Sequence, residues 1–369
     1  MQAGLSPATV SNLVADLVAE GVIVEVGLED SNGGRPRGLL QVNPHYGYVI
    51  GVDVGETEFL VELFDLGLQV RARQLTLSDN ADPRDAVAHV ADGIRAVIAE
   101  AGIDGQAILG VGVAAPGLVE HGEIVHGQSV GWDAVPVGSM LRGLVNLPVL
   151  VDNGAKTLGQ AEKWFGAARG TDNAIIVLLG LGVGTCIVSN GEVYRGATSS
   201  AGEWGHTTIM VGGRTCRCGA QGCLEAYVGA AAIEARYAEL GGASAGSLED
   251  TVAAIVASPD PAAAQVLDEV VSYLGAGIAN LVNLFNPERV VVGGWLGRAL
   301  AGPLLPRISA AAKGQALRLP SSSVQIVPAE LGQDAVALGG ATLPIAKLLN
   351  AGAMTVQVRA ERRPAFISQ

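Results

Sequence analysis

One histidine and three cysteines follow one another as His206-x9-Cys216-x-Cys218-x4-Cys223, inside GEWGHTTIMVGGRTCRCGAQGCLEAY. One imidazole and three thiolates make a closed tetrahedral set, which is the chemistry of structural zinc. No ligand position is left for a water, so zinc-activated hydrolysis is not implied. Gly212, Gly213, Gly219 and Gly222 permit the tight turns that such a knuckle needs. The competing reading is three reduced cysteines with no metal. Core cysteines, however, have little reason to crowd beside a histidine in a glycine-rich loop.

A second group sits at turns between apolar runs. Asp53-x-Gly55-x-Thr57 can bring backbone N–H groups and a hydroxyl to phosphate oxygens, and Asp53 can hold the hydration shell of Mg²⁺. Taken alone it reads equally well as a plain β-turn. Gly180-x-Gly182-x-Gly184-Thr185 forms a second such turn, and Gly293-Gly294 after a strand forms a third. Three of them spread along the chain point to a nucleotide held in a cleft, with ATP and Mg²⁺ as the candidate occupants.

The elements that must position these groups are those of a large α/β protein. The 369 residues are 49% apolar, with 51 glycines concentrated at strand–turn junctions. No apolar run reaches the roughly 20 residues of a membrane span. MQAGLSPATVSN lacks the basic and apolar regions of a signal peptide. Three of the four cysteines fall within eight residues, a pattern that favours metal over disulfide, so a cytoplasmic protein is expected. A net charge of −13 argues against broad nucleic-acid binding and leaves room only for a local DNA-reading element.

Strand–turn–strand patterns run over 48–62 and 175–189, which hints at an internal duplication. Buried strands read at ILGVGVAAPG, VNLPVLVDNG and RVVVGGW. Helices are expected near 84–101, 155–164, 263–285 and 333–349. The tail, 351–369, has no period.

At the start, Ser6 is an N-cap and Pro7 fits the first helical position. Val10, Leu13, Val14, Leu17 and Val18 repeat at helical spacing and predict one buried face, ended by Gly21. Two strand-like segments follow, joined by SNGGRPRG. A helix and a two-stranded wing make half of a winged helix-turn-helix. In that arrangement Gly4 stands at the turn, Thr9, Ser11 and Asn12 face base edges, and Arg35 and Arg37 enter a minor groove. The plainer reading is an amphipathic helix and hairpin that cover the next domain. Five acids against two bases in residues 1–45 favour the plainer one. The pattern alone leaves both open.

These motifs together resemble the ROK family of repressors, open reading frames and kinases. The resemblance runs from about residue 4 to about 345. It is carried by GEWGH…CRCGAQGCLE, with LVNLFNPERVVVGG, AAPG and the N-terminal GLSPATVSNLV…GGRPRGLLQVNP in support. It implies an actin-like ATPase fold of sugar-kinase type, two-lobed, preceded by a partial winged helix-turn-helix. The implied division is 1–45 for the DNA-binding region, 46–154 with about 333–349 for a small lobe, and 155–332 for a large lobe. In such repressors further helices precede this point, so Met1 is expected to be a late start or the region truncated. By position, the resemblance places Glu203, His206 and Glu225 on sugar hydroxyls, with Gly117 and Asn153 lining the same pocket. It also implies a homodimer.

The sequence departs from the family kinases at the reaction centre. Their catalytic Asp, the base toward the sugar hydroxyl, falls on Gly154, which cannot accept a proton. General-base help is worth roughly 10²–10⁴-fold in rate. Asp152, two residues upstream on a strand, lies about 6–7 Å away. Glu56 replaces the usual Gly beside Gly55 and is expected to repel ATP phosphates. Ser129 and Lys156 stand where Asn is common. The expected function is therefore a sugar-responsive DNA-binding regulator with a degenerate kinase body, whose partners are operator DNA and a sugar or sugar phosphate. The alternatives are an ATP-dependent hexose or N-acetylhexosamine kinase, and a sugar-binding relic with neither activity.

Overall fold

The structure, a computed structural model, describes residues 5–29, 37–77 and 82–350. Gly4, Arg35 and the tail 351–369 lie outside the described residues, as does the side chain of Arg37.

Helix α1 (Pro7–Ala19) starts as expected, with Ser6 Oγ accepting the Thr9 N–H at 3.2 Å and Pro7 in the first turn. Gly21 leaves the helix at φ +74°. Strand β1 (Ile23–Glu29) then pairs antiparallel with β2 (Arg37–Val42). The buried face expected for α1 is not buried: none of its residues is, and Val10 and Leu13 are 43% and 48% exposed. A short helix set against a lone two-stranded ribbon has too little surface to cover an apolar stripe. The reading of this region as a cover for the next domain fails for the same reason.

The first half of the body begins with the antiparallel strands β3 (Tyr48–Val54), β4 (Glu58–Asp65) and β5 (Val70–Leu77). Helix α2 (Pro83–Ala101) packs Val87, Val90, Ile94 and Val97 onto them. Strand β6 (Ile108–Ala115) lies parallel to β3. A small three-stranded sheet of β7 (Leu118–Glu120), β8 (Ile124–Gly127) and β9 (Trp132–Val135) follows. Helix α3 (Val137–Val145) leads to β10 (Val149–Asn153), parallel to β6. Helix α4 (Gly154–Phe165) crosses to the second half, where β11 (Ala174–Leu179), β12 (Val183–Ser189) and β13 (Glu192–Val193) are antiparallel. A helical layer of α5 (Glu225–Val228), α6 (Ala230–Glu239), α7 (Leu248–Ala257) and α8 (Pro261–Phe285) precedes β14 (Arg289–Gly293). Then come α9 (Gly294–Gln315), α10 (Arg318–Ser323), β15 (Gln325–Pro328) and α11 (Ala335–Asn350).

The two five-stranded sheets have orders β10-β6-β3-β4-β5 and β13-β12-β11-β14-β15. In each, three antiparallel strands open the sequence and two parallel strands join beside the first of them. The duplication hinted at by the repeated hairpins is thus real at the level of topology. Helices α4 and α11 pack on each other and tie the halves together. Their close approach depends on missing side chains. A Cβ on Gly51 or Gly112 would strike the backbone of α11, and one on Gly339 would strike the Thr157 carbonyl of α4.

Candidate functional site

The knuckle between β13 and α5 brings His206, Cys216, Cys218 and Cys223 together, with all four candidate ligand atoms within 4.8 Å of one another. Cys216 Sγ lies 3.7 Å from His206 Nδ1, and Cys218 Sγ lies 3.7 Å from Cys223 Sγ. A tetrahedron with bonds of about 2.3 Å has edges of about 3.7 Å, so the donor set fits a zinc-sized ion. Burial pushes the Cys216 thiol up to about 12. Among the knuckle glycines, Gly222 sits at φ +78° with the Met210 carbonyl where a Cβ would be. With Nδ1 turned to the cysteines, His206 keeps Nε2 on the opposite ring edge, and the residue lines the adjoining cleft.

That cleft, of about 850 Å³, runs between the two halves. Glu203 and Glu225 flank the knuckle and line it with His206, Gly117 and Asn153, so the expected sugar set converges. Burial raises the Glu203 carboxyl, with the Lys156 and His206 charges opposing. Glu225 is buried; its Oε2 accepts the Val183 N–H at 2.9 Å. Asn153 caps α4 through the Ala155 and Lys156 N–H groups and donates its amide to the Gly117 carbonyl at 2.6 Å. Its side chain holds the Gly117 turn in place.

The expected nucleotide set converges only in part. Asp53, Gly55, Thr57, Gly180, Gly182, Gly184 and Gly294 line the cleft. The start of α9 at Gly294 adds a helix N-terminus, whose partial positive charge favours phosphate. Thr185 and Gly293 do not line it. Thr185 is buried in β12 with its hydroxyl unpartnered, and Gly293 packs against Ala329 and Leu158. Strand alternation explains Thr185: Gly184 faces the cleft, so its neighbour faces the core. Asp53 is held up to about 7, by burial first and then by the charges of Glu58 and Asp334.

The departures from the kinase pattern acquire geometry. Gly154 lines the cleft, and a Cβ there would meet nothing nearer than 3.8 Å. Asp152 cannot substitute for a base. It is buried outside the cleft lining and paired with Arg195 at 2.7 Å. Glu56 is not the bare repulsive charge expected; Arg217 Nη1 donates to its carboxylate at 3.1 Å. Ser129 lines the cleft, whereas Lys156 is buried in the first turn of α4. Sequence reasoning missed Arg217, Trp295, Arg298 and Asp334, all of which line the cleft. Arg217 had a signal, since it stands between two of the candidate ligand cysteines. The other three reach the cleft only through tertiary packing.

The ROK family model matches residues 49–347. The xylose repressor of Caldicellulosiruptor bescii is 33% identical over 78% of this chain and 76% of its own. The crystal structure of a ROK family transcriptional regulator, a homolog of the Escherichia coli MLC protein, superposes with TM-score 0.78 at 28% identity, covering 93% of this chain and 89% of that one. A ROK family glucokinase from Streptomyces griseus, solved with glucose and AMPPNP, superposes with TM-score 0.69 at 27% identity, covering 80% of this chain and 99% of that one.

Proposed function

Because the chain belongs to the ROK family, we propose that it is a sugar-responsive, DNA-binding transcriptional repressor whose kinase-like body senses sugar without phosphorylating it. The observation that carries this reading is Gly154: a cleft that gathers carboxylates for a sugar has no side chain at the base position. The similarity to a named repressor over most of the chain supports it.

In this reading residues 1–45 meet operator DNA. Ser11 and Asn12 stand exposed on α1; Thr9, also exposed, shares its hydroxyl with Ser6 at 2.8 Å. Arg35 and Arg37 are assigned to the minor groove. The small lobe is 46–154 with about 333–349, and the large lobe is 155–332. Glu203 and Glu225 accept sugar hydroxyls, which suit carboxylates that take two directed hydrogen bonds each, and His206, with Nδ1 toward the metal, donates from Nε2 to a sugar oxygen. Zinc held by His206, Cys216, Cys218 and Cys223 supplies rigidity rather than a reacting water. Sugar binding changes how the halves sit, and in a homodimer that alters the spacing of the two DNA-reading regions. Among the described residues no helix is long and apolar enough to cross a membrane, and the cytoplasm is the proposed location.

The test is an electrophoretic shift of the DNA upstream of the coding sequence by the full chain at low salt, with and without a panel of pentoses, hexoses and N-acetylhexosamines. A shift that one sugar changes is the expected result. No shift on any promoter fragment rejects the repressor. The second reading is an ATP-dependent hexose or N-acetylhexosamine kinase. It is favoured by Asp53, the Gly180–Gly184 loop and the start of α9 lining the same cleft.

A further inference from the structure

Arg217 stands between the ligands Cys216 and Cys218, so the knuckle fixes its backbone. Its guanidinium reaches out over the cleft. Nε donates to Glu225 Oε1 at 2.8 Å and Nη2 to Oε2 at 3.4 Å. Nη1 donates to both oxygens of Glu56, at 3.1 and 3.3 Å. Glu225 opens α5 in the second half of the body, whereas Glu56 sits on the β3–β4 turn of the first. One side chain therefore pairs with a carboxylate from each half.

The same residue lines two spaces, the deep cleft and an outer groove of about 830 Å³ that contains Trp132 and Thr198; Leu118, His126, Gln128 and Cys218 also line both. Arg217 also occupies the Glu225 oxygen that a ligand hydroxyl needs, because Oε2 is already held by the Val183 N–H.

We propose that Arg217 is a latch: it holds the two halves together through Glu56 and Glu225, and a sugar must displace it from Glu225 to bind. This rests on the reading that Glu225 is a sugar ligand. The side chains of Arg217 and Glu56 are 39% and 22% exposed, against 7% for Glu225. The pair with Glu56, open to water, is weak, which suits a link between the halves that a small ligand must release. If sugar binds the unlatched form, abolishing the latch raises affinity by one plus the ratio of latched to unlatched molecules. For a pair of this exposure that is about two- to sixfold.

The experiment compares the zinc-loaded full chain with Arg217→Met, which keeps the apolar stem, and with Glu56→Gln, which leaves the knuckle untouched. Two readouts are taken: sugar affinity across a panel of pentoses, hexoses and N-acetylhexosamines from the fluorescence of Trp295 in the cleft, and the radius of gyration of the sugar-free protein by small-angle scattering. The latch predicts a larger sugar-free radius in both variants and a roughly two- to sixfold tighter sugar, with no further gain in the double variant. Unchanged radius and affinity in Glu56→Gln overturns it, even where Arg217→Met fails to fold. Weaker sugar binding in Arg217→Met alone also overturns it and makes Arg217 a sugar contact. A larger radius in a protein that binds no sugar, before or after substitution, keeps the link between the halves and removes the sugar reading instead.

Discussion

At Gly154, on the proposed reading, one position separates binding from chemistry. The backbone there begins α4 with its N–H groups capped by Asn153, and it lines the cleft, where a Cβ would make ordinary contacts no nearer than 3.8 Å. Asp152 next door is committed to Arg195 and to the Asn153 N–H, so it has no free oxygen to offer the cleft. In a coupled ADP-release assay with hexoses and N-acetylhexosamines, the natural chain is expected to be silent and Gly154→Asp to gain turnover, by roughly 10²-fold or more over background. Turnover by the natural chain on any of these sugars would reject the non-catalytic reading. Asp152→Asn should leave either variant unchanged in rate.

The knuckle is the element on which the proposed sugar set depends. His206, Glu203 and Glu225 come from residues that its two ends hold in register, through the Thr208–Cys223 and Thr215–Gln221 bridges. Outside the ligand set the loop is braced from one side: Tyr227 accepts the Arg214 N–H at 2.8 Å, stacks on Tyr273, and has the Arg214 guanidinium over its ring. Cys218→Ser is expected to reduce bound zinc from about one ion per chain to near none, and to cost sugar binding and thermal stability together. Zinc analysis beside a melting curve checks it; a zinc-free variant with unchanged melting and sugar affinity would make the metal dispensable. Because the thiols must lose protons to bind the ion, zinc is held more weakly as pH falls. Helix α1 and its hairpin are the contrasting case, an element with no buried residue, so its packing gives the body no support.

Across the whole molecule, two acids on the β3–β4 hairpin, Glu62 in the core and Asp53 half-buried at the cleft, make stability run against the usual carboxylate trend. Asp53 and Glu62 have ordinary values of 3.8 and 4.5, and burial is the largest cause raising both to about 7 in the fold. Glu62 is 1% exposed, its Oε2 has no hydrogen-bond partner, and Arg73 Nε stands 3.7 Å from its other oxygen. The folded form therefore keeps protons that the unfolded chain releases above pH 4. The stability these groups contribute is present in full below their ordinary values and is lost as pH rises through about 7. Melting temperature should fall between pH 5.5 and about 8, a window chosen to spare the zinc site. Glu62→Gln and Asp53→Asn should each flatten that slope; equal slopes in all three proteins would show that these carboxyls do not set it.

The sequence by itself determined the candidate metal set, the repeated hairpins, the long helices α2, α4, α8 and α11, and the bare position at 154. Each is written in local spacing or in one residue's chemistry, which short stretches of chain carry without help. It failed where burial decided the outcome. The apolar stripe of α1 has the period of a buried face, but period says nothing about whether a partner exists. Thr185 shares a motif with three glycines that line the cleft, and strand alternation turned it inward. The charge on Glu56 read as repulsion because its counter-ion lies 161 positions away in the chain. Only the docking of the two halves brings Arg217 to it, since long-range pairing is fixed by how α4 and α11 pack between the sheets and not by any local pattern.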